Sequence, residues 1–153
     1  MNILFVCTGN TCRSPMAEKM LKRKLLDEKL NIVVKSAGIA AVEGSSYSKH
    51  AETIIKNYLD EGHISQKVSE ELMDWADLIL TMTNGHKQIL NILKPEHIEK
   101  IHTLKEYVLL DDAISLDIVD PFGKGLETYQ IIEKELEELI SKLLIRINSK
   151  EIL

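Results

Sequence analysis

Short apolar runs rich in strand formers alternate with segments of helical period along this chain, and that alternation limits its fold more than any other feature. The run ILFVC at 3–7 leads through CTGNTCR into 16–30, where Met16, Met20, Leu21, Leu25, Leu26 and Leu30 recur at helical spacing. Ser14 suits the N-cap of that helix and Pro15 its first position, where a missing N–H costs nothing. NIVVKSAG at 31–38 reads as a second strand ending in a turn, and 48–62 as a helix stopped by Gly62. Ser69 caps a short helix over 69–76, DLILTM at 77–82 is a buried strand, and 84–94 is a helix ended by Pro95. IEKIHTL at 98–104 is a weaker strand candidate. An irregular stretch over 109–125 then leads to the strongest helix, whose stripe is Tyr129, Ile132, Leu136, Leu139, Leu143 and Ile147.

Strands joined by helices imply an α/β fold: an open parallel sheet covered on both faces through right-handed crossovers. The 153 residues suit a single domain over 1–153, without repeats or linkers and with a frayed tail over 149–153. No apolar run approaches the roughly 20 residues of a membrane span, so no membrane partner is expected. MNILFVC lacks the basic start of a secretory signal, which places the chain in the cytoplasm, where free thiols are the default. With 24 acidic against 19 basic residues and no basic block, nucleic acid is not an expected partner, and a monomer is expected. An acidic chain can still hold an anion, but only in a local pocket of donors.

CTGNTCR offers such a pocket. A loop between the C-terminal end of a strand and a helix N-terminus aims backbone N–H groups and the positive end of a helix dipole at one spot. Gly9 permits close approach, Asn10 tolerates a left-handed backbone that lets the loop curl, and Arg13 supplies a planar fork for two phosphate oxygens. Cys7 stands at the base, where donors and the cation favour its thiolate and lower its pKa, and the Ser14 hydroxyl adds a hydrogen bond. A thiolate facing a bound phosphoryl group is an activated nucleophile, so the local chemistry is phosphoryl transfer to Cys7. The nucleotide-binding pattern G-x-x-x-x-G-K-[ST] is absent, which argues against an ATPase.

The complete string C-x-G-N-x-C-R-S-P, together with SAG at 36–38, ADLILTM at 76–82 and DPFG at 120–123, resembles the low-molecular-weight protein tyrosine phosphatase family over nearly the whole chain. That resemblance implies a four-stranded parallel sheet of order 2-1-3-4 and no metal or cofactor. It makes Cys7 the nucleophile, Arg13 the phosphate ligand and Asp120 the general acid, with Asn10 and Ser14 organising the loop and the thiolate. Thr8, Gly9, Thr11, Cys12 and Phe122 complete the substrate-binding set. Asp111, Asp112 and Asp117 are neighbouring rivals of Asp120, which the DPFG match favours.

Tyrosine phosphatases of the family usually carry Ile between the Asn and the second Cys, where this chain has Thr11, and usually Tyr where it has Phe122. CTGNTCRSP with DPFG is similar to the bacterial protein arginine phosphatases. A hydroxyl at the loop rim can bond a guanidinium N–H or an attacking water, and Phe122 can stack on a planar head. Phosphoarginine in proteins is therefore the expected substrate, with phosphotyrosine as the alternative. An arsenate reductase needs further cysteines, and none follows Cys12. A sugar phosphocarrier or a non-catalytic binding module is disfavoured by Arg13 and Asp120 together. Cys12 is either packing or the partner of Cys7 in a reversible disulfide. His50, His63, His86, His97 and His102 lack metal-ligand spacing and read as surface or cap residues. Met82, Trp75 and Tyr129 read as core, Trp75 alternatively as cleft lining, and Ser36 as a hydrogen-bond partner of the Asn10 side chain.

Overall fold

The computed structural model describes the backbone of residues 1–152 and side chains through Ser149. Strand β1 (Asn2–Cys7) pairs in parallel with β2 (Val33–Gly38) on one side and with β3 (Leu78–Thr81) on the other. Strand β4 (Ile101–Thr103) completes a four-stranded parallel sheet of order β2-β1-β3-β4. Side chains alternate across the sheet, so Ile3, Phe5 and Cys7 face one core while Leu4 and Val6 face the other. The first core is closed by α1 (Arg13–Leu25), α2 (Lys49–Ile55), α5 (Leu104–Leu109) and α6 (Leu126–Ile152), the second by α3 (Glu70–Trp75) and α4 (Asn84–Leu93). Every residue of the expected α6 stripe is buried. Full burial of side chains such as Phe5, Leu4 or Ile79 contributes about 1.5–3 kcal/mol each.

Several boundaries differ from the sequence reading for tertiary reasons. Helix α1 starts at Arg13 with Cys12 in the cap position and no side-chain cap, so Ser14 is not the N-cap. Its hydroxyl lies on Cys7 instead, 2.8 Å from Sγ. Helix α2 ends at Ile55, well before Gly62, because the following chain is drawn out along the sheet edge, where Gly38 N–H donates to Gln66 O and Val68 N–H to Gly38 O. A 3₁₀ turn over Pro95–Lys100 shortens the expected strand to Ile101–Thr103, and α5 follows at once, held by a capping box between Thr103 and Glu106. Met82 is core, and Trp75, half-buried against the second core, lies under the Lys35 ammonium, 4.3 Å from the ring centre and outside the pocket lining. The expected fraying over 149–153 falls largely on side chains outside the described residues.

Strand β1 is where the strand order turns back, and such reversals place a crevice at the C-terminal strand ends. The segment 7–13 crosses it. Behind that loop, a Cβ on Gly38 would sit 2.5 Å from Thr8 O and 2.9 Å from Asn10 N, so only glycine lets β2 end this close to it.

Candidate active site

The loop is built by turning its carbonyls outward. Ile39 N–H donates to Cys7 O (3.0 Å), Ala40 N–H to Thr8 O (2.9 Å) and Ser48 N–H to Thr11 O (3.0 Å). Asn10 O receives His63 Nε2 at 2.7 Å and Ser65 Oγ at 2.8 Å. No peptide is cis among the described residues, and across a trans peptide the next N–H points opposite to the carbonyl. The N–H groups of Thr8, Gly9, Thr11 and Cys12 are thereby aimed to the inner side, while Asn10 N–H donates to Cys7 Sγ at 3.3 Å. Asn10 makes the curl with φ of 56°, a conformation Asn accepts more readily than most residues. Gly9 lines the pocket, and a Cβ there would meet nothing closer than Thr11 Oγ1 at 3.7 Å.

Hydrogen-bond accounting fixes the polarity beneath the loop. The fully buried Asn10 side chain accepts Gln66 N–H on Oδ1 (3.0 Å) and spends both Nδ2 protons on Ser14 Oγ and Ser36 Oγ, at 2.9 Å each. Ser36 donates onward to Glu18 Oε1 at 2.6 Å. Ser14 Oγ accepts from Asn10 and keeps its own proton, which it can donate to Cys7 Sγ once the thiol is ionised. Burial pushes the Glu18 carboxyl up, but hydrogen bonds from Lys22 and Ser36 and the charges of Lys19 and Lys22 outweigh it and hold the group below the ordinary carboxylate range. Burial lowers His63, so this ring, stacked on Tyr47, meets Asn10 O with a neutral Nε2–H.

Cys7 departs from the expectation of a lowered pKa. Burial pushes its thiol up, opposed by the Ser14 hydroxyl, the Ser14 N–H, the Arg13 charge and the Asn10 N–H in falling order, and the net direction is upward. Deprotonating it therefore depends on each of those donors. Arg13, itself buried, donates through Nη1 to Ile118 O at 2.8 Å, while Nη2 stands 3.6 Å from Asp120 Oδ2. Asp120 Oδ1 accepts Phe122 N–H at 3.0 Å, leaving a half-exposed carboxylate on the pocket wall.

The pocket, about 220 Å³, is lined by Cys7, Thr8, Gly9, Thr11, Cys12, Arg13, Asp120 and Phe122. That volume lies below the usual range for drug-sized ligands and suits a phosphoryl group on a single side chain. Among the rival acids, Asp117 is spent on the Asn84 N–H at 2.8 Å, and Asp111 and Asp112 sit in a 3₁₀ turn outside the pocket lining. Both cysteines are free, with Cys12 Sγ donating to Ser48 Oγ at 3.1 Å and lying 3.2 Å from the buried Tyr129 hydroxyl. Two histidines read as surface or cap residues are neither: His63 holds the Asn10 carbonyl, and the His86 side chain is buried with Nε2 2.8 Å from Thr8 Oγ1. These supports, with Glu18, Ser65 and Gln66, were beyond the sequence because they bind backbone atoms or bridge distant segments. Among the described residues no group of three or more His, Cys, Asp or Glu is placed to hold a metal ion, and no helix is long and apolar enough to cross a membrane.

A donor-lined loop at the mouth of a parallel sheet, with a thiol at its base and an Arg and a carboxylate above it, is the architecture of a cysteine-dependent phosphatase. The chain belongs to the low molecular weight phosphotyrosine protein phosphatase family, whose model matches residues 2–152. It is 44% identical over 144 residues to the protein-arginine-phosphatase of Bacillus subtilis (strain 168), covering 94% of each chain. Its structure superposes on the YwlE arginine phosphatase from Geobacillus stearothermophilus with TM-score 0.91 at 43% identity, covering 99% of this chain and 95% of that one. It likewise matches a YwlE Cys-to-Ser mutant whose active-site serine is phosphorylated, with TM-score 0.91 at 41% identity over 97% of this chain and 96% of the other.

Proposed function

We propose that this chain hydrolyses phosphoarginine in proteins through a phosphocysteine at Cys7. The carrying observation is Thr11 among the residues that line one pocket with Cys7, Arg13 and Asp120. The names of the relatives support the same substrate. Cys7 thiolate attacks phosphorus, an S–P bond forms and the P–N bond to the guanidino group breaks, with protonated Asp120 giving its proton to the departing nitrogen. Water then attacks phosphorus, Asp120 carboxylate takes its proton, the S–P bond breaks and inorganic phosphate leaves. Arg13 and the inward N–H groups hold the equatorial oxygens throughout, where a low-dielectric site makes such donors most effective. Under this reading the partners are phosphorylated proteins met in the cytoplasm by a monomer.

Thr11→Ile is expected to move selectivity towards phosphotyrosine by roughly tenfold or more in the ratio of kcat/KM values, since the variant loses a hydroxyl able to bond a guanidinium N–H or the attacking water. Steady-state kinetics on phosphoarginine and phosphotyrosine peptides, side by side, checks this. Unchanged ratios would remove Thr11 as the selector, and a wild-type preference for phosphotyrosine would favour the alternative substrate.

Ser14→Ala removes the strongest hydrogen bond that opposes the burial of the Cys7 thiol. Its loss raises the thiol pKa further, because the charged form loses a donor worth about 1.5–3 kcal/mol. The acid limb of the kcat/KM profile should move upward by about one to two pH units, leaving the variant weakest at low pH and partly recovered as pH rises. A profile that scales down uniformly would assign Ser14 a structural role instead.

A further inference from the structure

His86 stands on the first turn of α4, opposite the catalytic loop. Thr83 Oγ1 accepts its backbone N–H at 3.1 Å, Thr81 Oγ1 ties down Thr83 O at 2.8 Å, and the neighbouring Asn84 N–H is held by Asp117 Oδ1. His86 is buried, with a residue exposure of 7%; Nε2 meets Thr8 Oγ1 at 2.8 Å, and Nδ1 is buried without a partner among the described residues. Thr8 is itself fastened on its other side, its carbonyl accepting Ala40 N–H, and it lines the pocket beside Cys7 and Arg13.

Burial and then the Arg13 charge push His86 down to about 4, against Asp117 and Asp120, so the ring carries one proton at neutral pH. That proton has two places to go. On Nδ1 it would be a buried N–H with no acceptor, a rarer arrangement in proteins than an unmet lone pair. On Nε2 it is used, as a donor to Thr8 Oγ1. A hydroxyl has one proton and two lone pairs, so a threonine that accepts from His86 keeps its own proton for another partner.

We propose that His86 is a positioning residue which, as the Nε2–H tautomer, donates to Thr8 Oγ1 and so frees the Thr8 hydroxyl to donate into the pocket as an extra side-chain donor to the phosphoryl group. The inference rests on the phosphatase reading of this site and adds the Thr8 side chain to its donors.

The test combines kinetics on para-nitrophenyl phosphate with inhibition by inorganic phosphate for wild type, Thr8→Val, His86→Phe, His86→Gln and the Thr8→Val/His86→Phe double variant. Thr8→Val and His86→Phe should each lose on the order of tenfold in kcat/KM and weaken phosphate inhibition, as the loss of one hydrogen bond to a charged group implies. The double variant should lose no more than about threefold beyond either single one, because both remove the same donor. His86→Gln should restore most of the activity, its amide N–H replacing Nε2–H. Nitrogen NMR of the labelled full chain should find the His86 proton on Nε2. A double variant whose losses multiply, a Thr8→Val enzyme equal to wild type, or a proton on Nδ1 would each overturn the proposal. If His86→Phe fails to fold, Thr8→Val, His86→Gln and the NMR tautomer decide. A wild-type chain that turns over no phosphoryl substrate would sink the phosphatase reading and the proposal with it, whereas variants matching an active wild type would sink the proposal alone.

Discussion

Replacing Cys7 by Ser is expected to lower kcat by at least about 10⁴-fold while leaving inorganic phosphate bound as well as before. The two effects separate because different atoms carry them. Binding comes from Arg13 and from the N–H groups turned inward by carbonyl anchors at Ile39, Ala40, His63, Ser65 and Ser48, none of which touches the side chain at position 7. Attack, in the proposed mechanism, comes from sulfur. A serine hydroxyl at the same place attacks only slowly, since it is almost wholly protonated at neutral pH and the donors that stabilise a thiolate, Ser14 Oγ at 2.8 Å and Asn10 N–H at 3.3 Å, populate too little alkoxide for rapid turnover. The measurements are kcat on para-nitrophenyl phosphate and the inhibition constant of phosphate. A variant keeping a hundredth or more of wild-type kcat would take the nucleophilic role from Cys7, and one that lost phosphate binding equally would make Cys7 a structural part of the cradle.

Arg13→Lys should cost about 10³-fold in kcat/KM, although charge is conserved, and the loss should appear in both kcat and phosphate inhibition. Arg13 holds two things at once. One arm of its fork donates to Ile118 O at 2.8 Å, and the other faces Asp120 at 3.6 Å across the pocket. Ile118 lies two residues before the candidate acid, and its own N–H donates to Met82 O, so the guanidinium anchors the segment that carries Asp120 as well as serving as the proposed anion ligand. A lysine ammonium is a single point on a flexible stem and cannot span both tasks. A loss of threefold or less would mean that the backbone donors alone suffice for the phosphoryl group. Recovery with a better leaving group would separate displacement of Asp120 from loss of the phosphate grip.

Parts of this account are plain in the residues themselves. The alternation of periods gives the parallel sheet, the single dense stripe from Tyr129 to Ile147 gives α6, and the string from Cys7 to Ser14 gives the pocket. Local rules fail where the site overrides them. Ser14 has the chemistry of an N-cap, yet its hydroxyl is engaged by Asn10 Nδ2–H and by Cys7 Sγ instead. Residues 56–62 carry a helical pattern, yet the chain there turns out so that His63, Ser65 and Gln66 can reach Asn10. Helix α5 carries a signal, the T-x-x-E capping box at Thr103 and Glu106, which the adjoining apolar run masks in the sequence. Gly38 shows no requirement in sequence, since its need arises from the approach of Thr8 O. The Glu18–Ser36–Asn10–Ser14 chain joins residues up to 26 positions apart and exists only once β2 lies beside β1.

The most direct test is to mix the enzyme with phosphorus-labelled substrate, quench within the first turnover in acid, and map the labelled peptide by mass spectrometry. The account predicts one phosphoryl group per chain, on Cys7, accumulating further in Asp120→Asn when the leaving group is good enough to depart unaided. Label on any other residue, or first-turnover product formed with no covalent phosphoryl-enzyme at all, would contradict it.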